Sequence, residues 1–118
     1  MIESIGYSNC TSCKKALAHL HQSGVTFEHR DYFKDRFTVE ELGGMLGRAR
    51  LSPQEVLSKK SKVYRADPDR YDNLGDDALL QEMIEQPTLL RRPIMFDQSG
   101  AVVGFNEKRL NELIDRAG

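Results

Sequence analysis

Two cysteines, Cys10 and Cys13, stand three residues apart in the stretch YSNCTSCKKA, as C-x-x-C, and the chain has no others. Sulfur at that spacing can ligate a metal, staple a fold, exchange electrons as a thiol pair or fill a core. A structural zinc site wants four ligands, usually two pairs. Here His19, His21 and His29 would have to complete one pair. On a helix His19 and His21, two apart, point to different faces. The reading for metal is therefore none, and the histidines read as solvated surface. Burial as a small hydrophobe suits Cys13 but not Cys10, which is flanked by Ser8, Asn9, Thr11 and Ser12.

Thiol chemistry depends on the elements that hold the pair. MIESIGY reads as a short strand. TSCKKALAHLHQSG reads as a helix, with Ala16, Leu17 and Leu20 on one side and Gly24 just past its end. Cys10 then falls at a strand-to-helix turn, where unpaired N–H groups and the helix dipole favour an anion. Lys14 and Lys15 add positive charge. These effects favour thiolate over thiol, and Cys13, one turn further in, is placed to resolve a mixed disulfide. C-x-x-C after a strand and opening a helix is a thioredoxin-type signal. Redox chemistry is the reading the residues favour.

VTFEHRDYF, at 25–33, reads as a second strand, completing a βαβ unit with parallel strands. FTVEELGGMLGRA carries a capping box, Thr38 with Glu41, and a stripe of Val39, Leu42 and Leu46. LSPQEVLSKK predicts another helix, with Ser52 as cap, Pro53 first and Glu55 third. SKVYRADPDRYDNLG is polar, broken by Pro68 and Gly75, and reads as a loop. Lys59, Lys60, Lys62 and Arg65 cluster near Tyr64, read by default as a solvated face and alternatively as the lining of an anion site. DDALLQEMIEQP predicts an amphipathic helix stopped by Pro87. LLRRPIMFD and AVVGFN predict an antiparallel hairpin across QSG, and NEKRLNELIDRAG a last helix capped by Asn106. The order gives an α/β, thioredoxin-like mixed four-stranded sheet: a core of about 1–35 and 76–118, with a helical insertion at about 36–75, in one 1–118 domain.

The chain has 118 residues, 39% apolar and 30% charged, with net charge −1. That composition is ordinary for a folded protein, and the charge gives no overall field to draw in nucleic acid. No apolar run approaches the ~20 residues of a membrane helix, and MIESIGYSNC lacks the basic and apolar regions of a signal peptide. The expected location is the cytoplasm, where thiols stay reduced and a purely structural disulfide is disfavoured.

CTSCKKA, SKVY, LLRRPI and VGFNE, in this order from Tyr7 to Glu107, resemble the Spx branch of the ArsC (arsenate reductase) family. The resemblance implies a thioredoxin/glutaredoxin fold with an inserted helical subdomain. It implies a Cys10–Cys13 disulfide as a redox-active, reversible switch in the response to thiol stress. It also implies binding to the C-terminal domain of the RNA polymerase α subunit, with little direct DNA binding alone. The alternative within the family is a small thiol reductase of the arsenate reductase type, coupled to thioredoxin or to glutathione as co-substrate; no other cofactor is implied. Carried over by position, Cys10 matches the nucleophile and Arg92 an anion-binding arginine. Lys60 stands where the family usually has a second arginine. The arginine expected after the last strand is absent, since GFNEKRL offers only Arg109 inside the helix. Lysine lacks the planar fork that grips an oxyanion, so the arsenate site reads as impaired. Ser52, where Spx proteins commonly have glycine, and Lys60 fall on the implied polymerase-binding surface. A proline starting a strand opposite C-x-x-C is, in such folds, usually cis, so the resemblance implies a cis Arg92–Pro93 bond and an Arg92 beside the cysteines.

Overall fold

The computed structural model describes residues 1–117. The chain divides into two compact units, Met1–Asp35 with the chain from Arg92 onward, and Arg36–Arg91.

The first unit is built on β1 (Ile2–Gly6), α1 (Thr11–Ser23), β2 (Phe27–Asp31), β3 (Ile94–Asp97), β4 (Gly100–Val103) and α6 (Glu107–Ala117). The four strands form one sheet in the order β2-β1-β3-β4. β1 and β2 run parallel, with Ile2 opposite Phe27 and Gly6 opposite Asp31. A parallel pair needs a crossover, and α1 supplies it. Gly24 ends α1 in the left-handed region at φ 75, which glycine adopts without a Cβ penalty. β3 pairs antiparallel with both β1 and β4, as two short strands joined by a tight turn must. Ile2, Ala16, Leu20, Met95, Val102, Leu110 and Leu113 form one buried cluster, tying α1 and α6 to the sheet. Asn106 caps α6, its Oδ1 accepting from the Arg109 N–H at 3.0 Å. Leu110 and Leu113 are fully buried, and Ile114 packs at the edge.

Gly6 ends β1 under α1. A Cβ there would stand 2.9 Å from Cys13 Sγ and 3.3 Å from Cys13 Cβ. Gly6→Ala is therefore expected to destabilise the fold by about 1–3 kcal/mol, the cost of overpacking. A drop in urea midpoint checks it.

The second unit holds α2 (Val39–Ala49), α3 (Lys62–Ala66), α4 (Pro68–Asp72) and α5 (Asp76–Glu85). α5 lies within the Arg36–Arg91 unit. The capping box of α2 is complete: Thr38 Oγ1 accepts from the Glu41 N–H at 3.1 Å and Glu41 Oε1 accepts from the Thr38 N–H at 3.0 Å. Two sequence expectations are corrected here. LSPQEVLSKK makes only a 3-10 turn at Gln54–Val56. Ser52 and Glu55 still exchange bonds, at 2.9 and 3.4 Å. SKVYRADPDRYDNLG contains α3 and α4, not a loop. Tyr64 and Tyr71 are each 6% exposed, and the Tyr64 hydroxyl donates to both Asp72 carboxylate oxygens at 2.8 and 3.0 Å. Burial of two rings and this bond hold turns too short to stand alone.

Candidate redox site

Every residue of the candidate site belongs to the first unit. Cys10 is the N-cap of α1, extended at φ −88 and ψ 123. Its N–H donates to the Tyr7 carbonyl at 3.0 Å, and the Lys14 N–H donates to the Cys10 carbonyl at 3.0 Å. Cys10 is half-buried and Cys13 is 1% exposed; both are free thiols.

The two sulfurs titrate in opposite directions. At Cys10 burial works against a thiolate, but hydrogen bonds from the Cys13 thiol and backbone N–H outweigh it, together with the Arg92 guanidinium. Its thiol is held below its ordinary value. At Cys13 burial pushes the thiol up to about 12, helped by the neighbouring Cys10 and opposed by the Tyr7 N–H, which donates to Cys13 Sγ at 3.4 Å. The cation beside Cys10 is Arg92; Lys14 and Lys15 are exposed.

Arg92 precedes β3 through a cis bond to Pro93. Its guanidinium carbon lies 5.8 Å from the Tyr7 ring centroid and 5.4 Å from that of Phe33. Those two rings stack on each other, 4.0 Å apart and 21° from parallel. A guanidinium stacked on aromatics is held flat and partly desolvated, which strengthens its action on a neighbouring anion. Tyr32, 3% exposed, also bonds to Arg92; burial pushes its hydroxyl up although the guanidinium opposes this. Arg92 Nε is buried with no hydrogen-bond partner.

Asp31, at the end of β2, holds the aromatic pair in place. Its carboxylate accepts from the Ser8 N–H at 3.2 Å and the Ser8 hydroxyl at 2.5 Å, on the loop after β1. It accepts from the Phe33 N–H at 3.0 Å and the Lys34 N–H at 3.4 Å on its own side. Burial resists its charge, but these four donors hold the carboxyl below its ordinary value.

Arg92→Ala should raise the Cys10 pKa. Losing a hydrogen bond to a charged group costs about 1.5–3 kcal/mol, so alkylation of Cys10 at pH 7 should slow roughly tenfold or more. Arg92→Lys keeps the charge but not the stacked plane, and should restore only part of the rate. The pH profile of iodoacetamide labelling measures both.

Of the residues expected to act together, Cys10, Cys13, Arg92 and Pro93 fall in the first unit, and Cys10, Cys13 and Arg92 interact directly. Ser52 and Lys60 belong to the second, Ser52 half-buried and Lys60 exposed. Tyr7, Tyr32, Phe33 and Asp31 carried no signal as site residues; the last three close the second strand, VTFEHRDYF, and Tyr7 closes the first, MIESIGY. Among the described residues no group of three or more His, Cys, Asp or Glu could hold a metal ion, and no helix is long and apolar enough to cross a membrane.

A sequence model of the ArsC family matches residues 5–113. The chain is 37% identical to the global transcriptional regulator Spx of Enterococcus faecalis over 92% of its length and 82% of that protein. It is 30% identical to global transcriptional regulator Spx 1 of Bacillus cereus, over 98% of this chain and 88% of the other. In three dimensions it matches an ArsC family related protein from Bacteroides fragilis with a TM-score of 0.78 at 20% identity, covering 95% of this chain and 97% of that one. With the family match running across both cysteines and Arg92, the chain belongs to the ArsC family, on its Spx branch.

Proposed function

We propose that this protein is a redox-responsive transcriptional regulator of the Spx type. Cys10 and Cys13 are its thiol/disulfide switch, and the C-terminal domain of the RNA polymerase α subunit is its partner in the cytoplasm. The observation that carries the reading is the opposed acidity of two adjacent sulfurs, one held below its ordinary value beside Arg92 and one pushed up to about 12. A disulfide or peroxide oxidant takes two electrons. The Cys10 thiolate attacks it, Cys13 gives up a proton, and its sulfur closes the bond. Arg92 then faces a neutral disulfide instead of an anion, so its electrostatic hold on Cys10 is released. The regulator names carried by the relatives support the partner. The net charge of −1 supports binding a protein rather than DNA alone. Exposed Lys60 and half-buried Ser52 are the proposed contact residues.

Titration of the isolated α domain into the reduced and the oxidised protein tests this. The expected result is saturable binding that differs between the two states and weakens in Lys60→Glu. No binding at high micromolar concentration, together with measurable arsenate or disulfide reduction, would replace it with the second reading. That reading is a thiol reductase coupled to glutathione or thioredoxin. It is favoured by one observation, the unpartnered Nε of Arg92, a donor that an oxyanion at Cys10 would satisfy.

A further inference from the structure

Ser4 and His29 form a polar pair that the thiol chemistry above leaves unused. They stand opposite each other in the β1–β2 register. Alternation puts Ile2, Ser4 and Gly6 on one face of β1, and Ile2 packs there with Ala16 and Leu20 of α1. Ser4 is 2% exposed, and its hydroxyl meets His29 Nδ1 at 3.1 Å. Cys13 Sγ and His29 Cε1 crowd the same point above Gly6, 2.9 and 3.4 Å from where a Cβ would stand. Cε1 lies between the two ring nitrogens, so the ring edge turned toward that shared point carries both. His29 is otherwise exposed. It therefore touches a buried hydroxyl and water, and borders the buried sulfur.

Closing the disulfide requires Cys13 to lose its proton, and burial opposes a free thiolate there. We infer that His29, held by Ser4, accepts the Cys13 proton as the disulfide closes and passes it to solvent. The inference rests on the Cys10–Cys13 switch proposed above. In the step, Cys10 carries a mixed disulfide. The proton moves from Cys13 Sγ to the imidazole, the Cys13 sulfur attacks Cys10 Sγ, and the other thiolate leaves. The Ser4 hydroxyl can donate to a neutral ring or accept from a protonated one, so the pair keeps its bond in both states. Burial lowers the His29 pKa from its ordinary 6.5 and Asp31 on the same strand works against this, leaving a neutral ring at pH 7. Cys10, Arg92 and Tyr32 are charged or titrating groups that act on the Cys13 sulfur.

The aromatic disulfide of thionitrobenzoate reads the two steps separately. Attack by Cys10 releases one coloured thiolate, and closure by Cys13 releases a second. General-base assistance is typically worth ~10²–10⁴-fold, so His29→Gln should slow the second release roughly a hundredfold and leave the first unchanged. The wild-type second release should fall as pH drops below 6.5, and that inflection should vanish in His29→Gln. Ser4→Ala, acting only by positioning, should slow the second release less and keep the inflection. An unchanged second rate and pH profile in His29→Gln would overturn the assignment. A wild type that releases only the first thiolate would overturn the switch itself, and the inference with it.

Discussion

At pH 7 iodoacetamide should modify Cys10 roughly a thousandfold faster than Cys13. The thiolate is the nucleophile, and its fraction falls tenfold for each unit by which the pKa exceeds the pH. Cys13 stands at about 12, against an ordinary value of 9.0, while Cys10 lies below 9.0. The gap spans three decades before access is counted, and Cys13 at 1% exposure is also shielded from reagent. The comparison uses Cys10→Ser and Cys13→Ser, each with one thiol left. The Cys10 rate should climb with pH and level off above its lowered pKa; the Cys13 rate should keep climbing through pH 10. Mass spectrometry of the labelled peptides gives both rates. Equal rates, or faster labelling of Cys13, would contradict the arrangement around Arg92.

Leu20→Ala should be the most destabilising single truncation near the site, by about 2–5 kcal/mol. Leu20 is 0% exposed and joins α1 to the sheet through Ile2 and Met95 and to α6 through Leu110 and Leu113. Its loss leaves a cavity between three elements that cannot all collapse into it. Domains of this kind are stable by only about 5–15 kcal/mol, so the variant should unfold at much lower urea. Lys15→Ala, on the exposed side of the same helix, should stay within about 0.5 kcal/mol of wild type. A small effect at Leu20 would mean that α1, and with it Cys13, is held by other contacts.

The elements with strong period were legible before any coordinates. β1, α1 and β2 follow from alternation, an apolar stripe and Gly24; α2 and α6 follow from Thr38, Glu41 and Asn106. α3 and α4 were not legible, because each is only five residues long and too short to show a helical period. Only packing of Tyr64 and Tyr71 decides their conformation. An amphipathic helix such as α5 states that it has a core face, not which core it faces. At the site, Cys10, Cys13 and Arg92 could be named from spacing and resemblance. The aromatic cradle could not, since Tyr7 and Phe33 meet only through the parallel β1–β2 register and the Asp31 bonds. His29 read as surface, and most of it is. Its bond to Ser4 depends on the same register.

Arg92 reaches Cys10 only after β3 has paired with β1. Ribosomes build chains N-terminus first, at about 5–20 residues per second, so Arg92 is added roughly 4–16 s after Cys10. During that interval a nascent chain carries two ordinary thiols, without the guanidinium that sharpens one or the packing that silences the other. The difference between the two thiols is thus acquired late, when synthesis has passed β3 and the long loop between the strands has closed. An unfinished polypeptide treats its two sulfurs alike, and only the completed protein tells them apart.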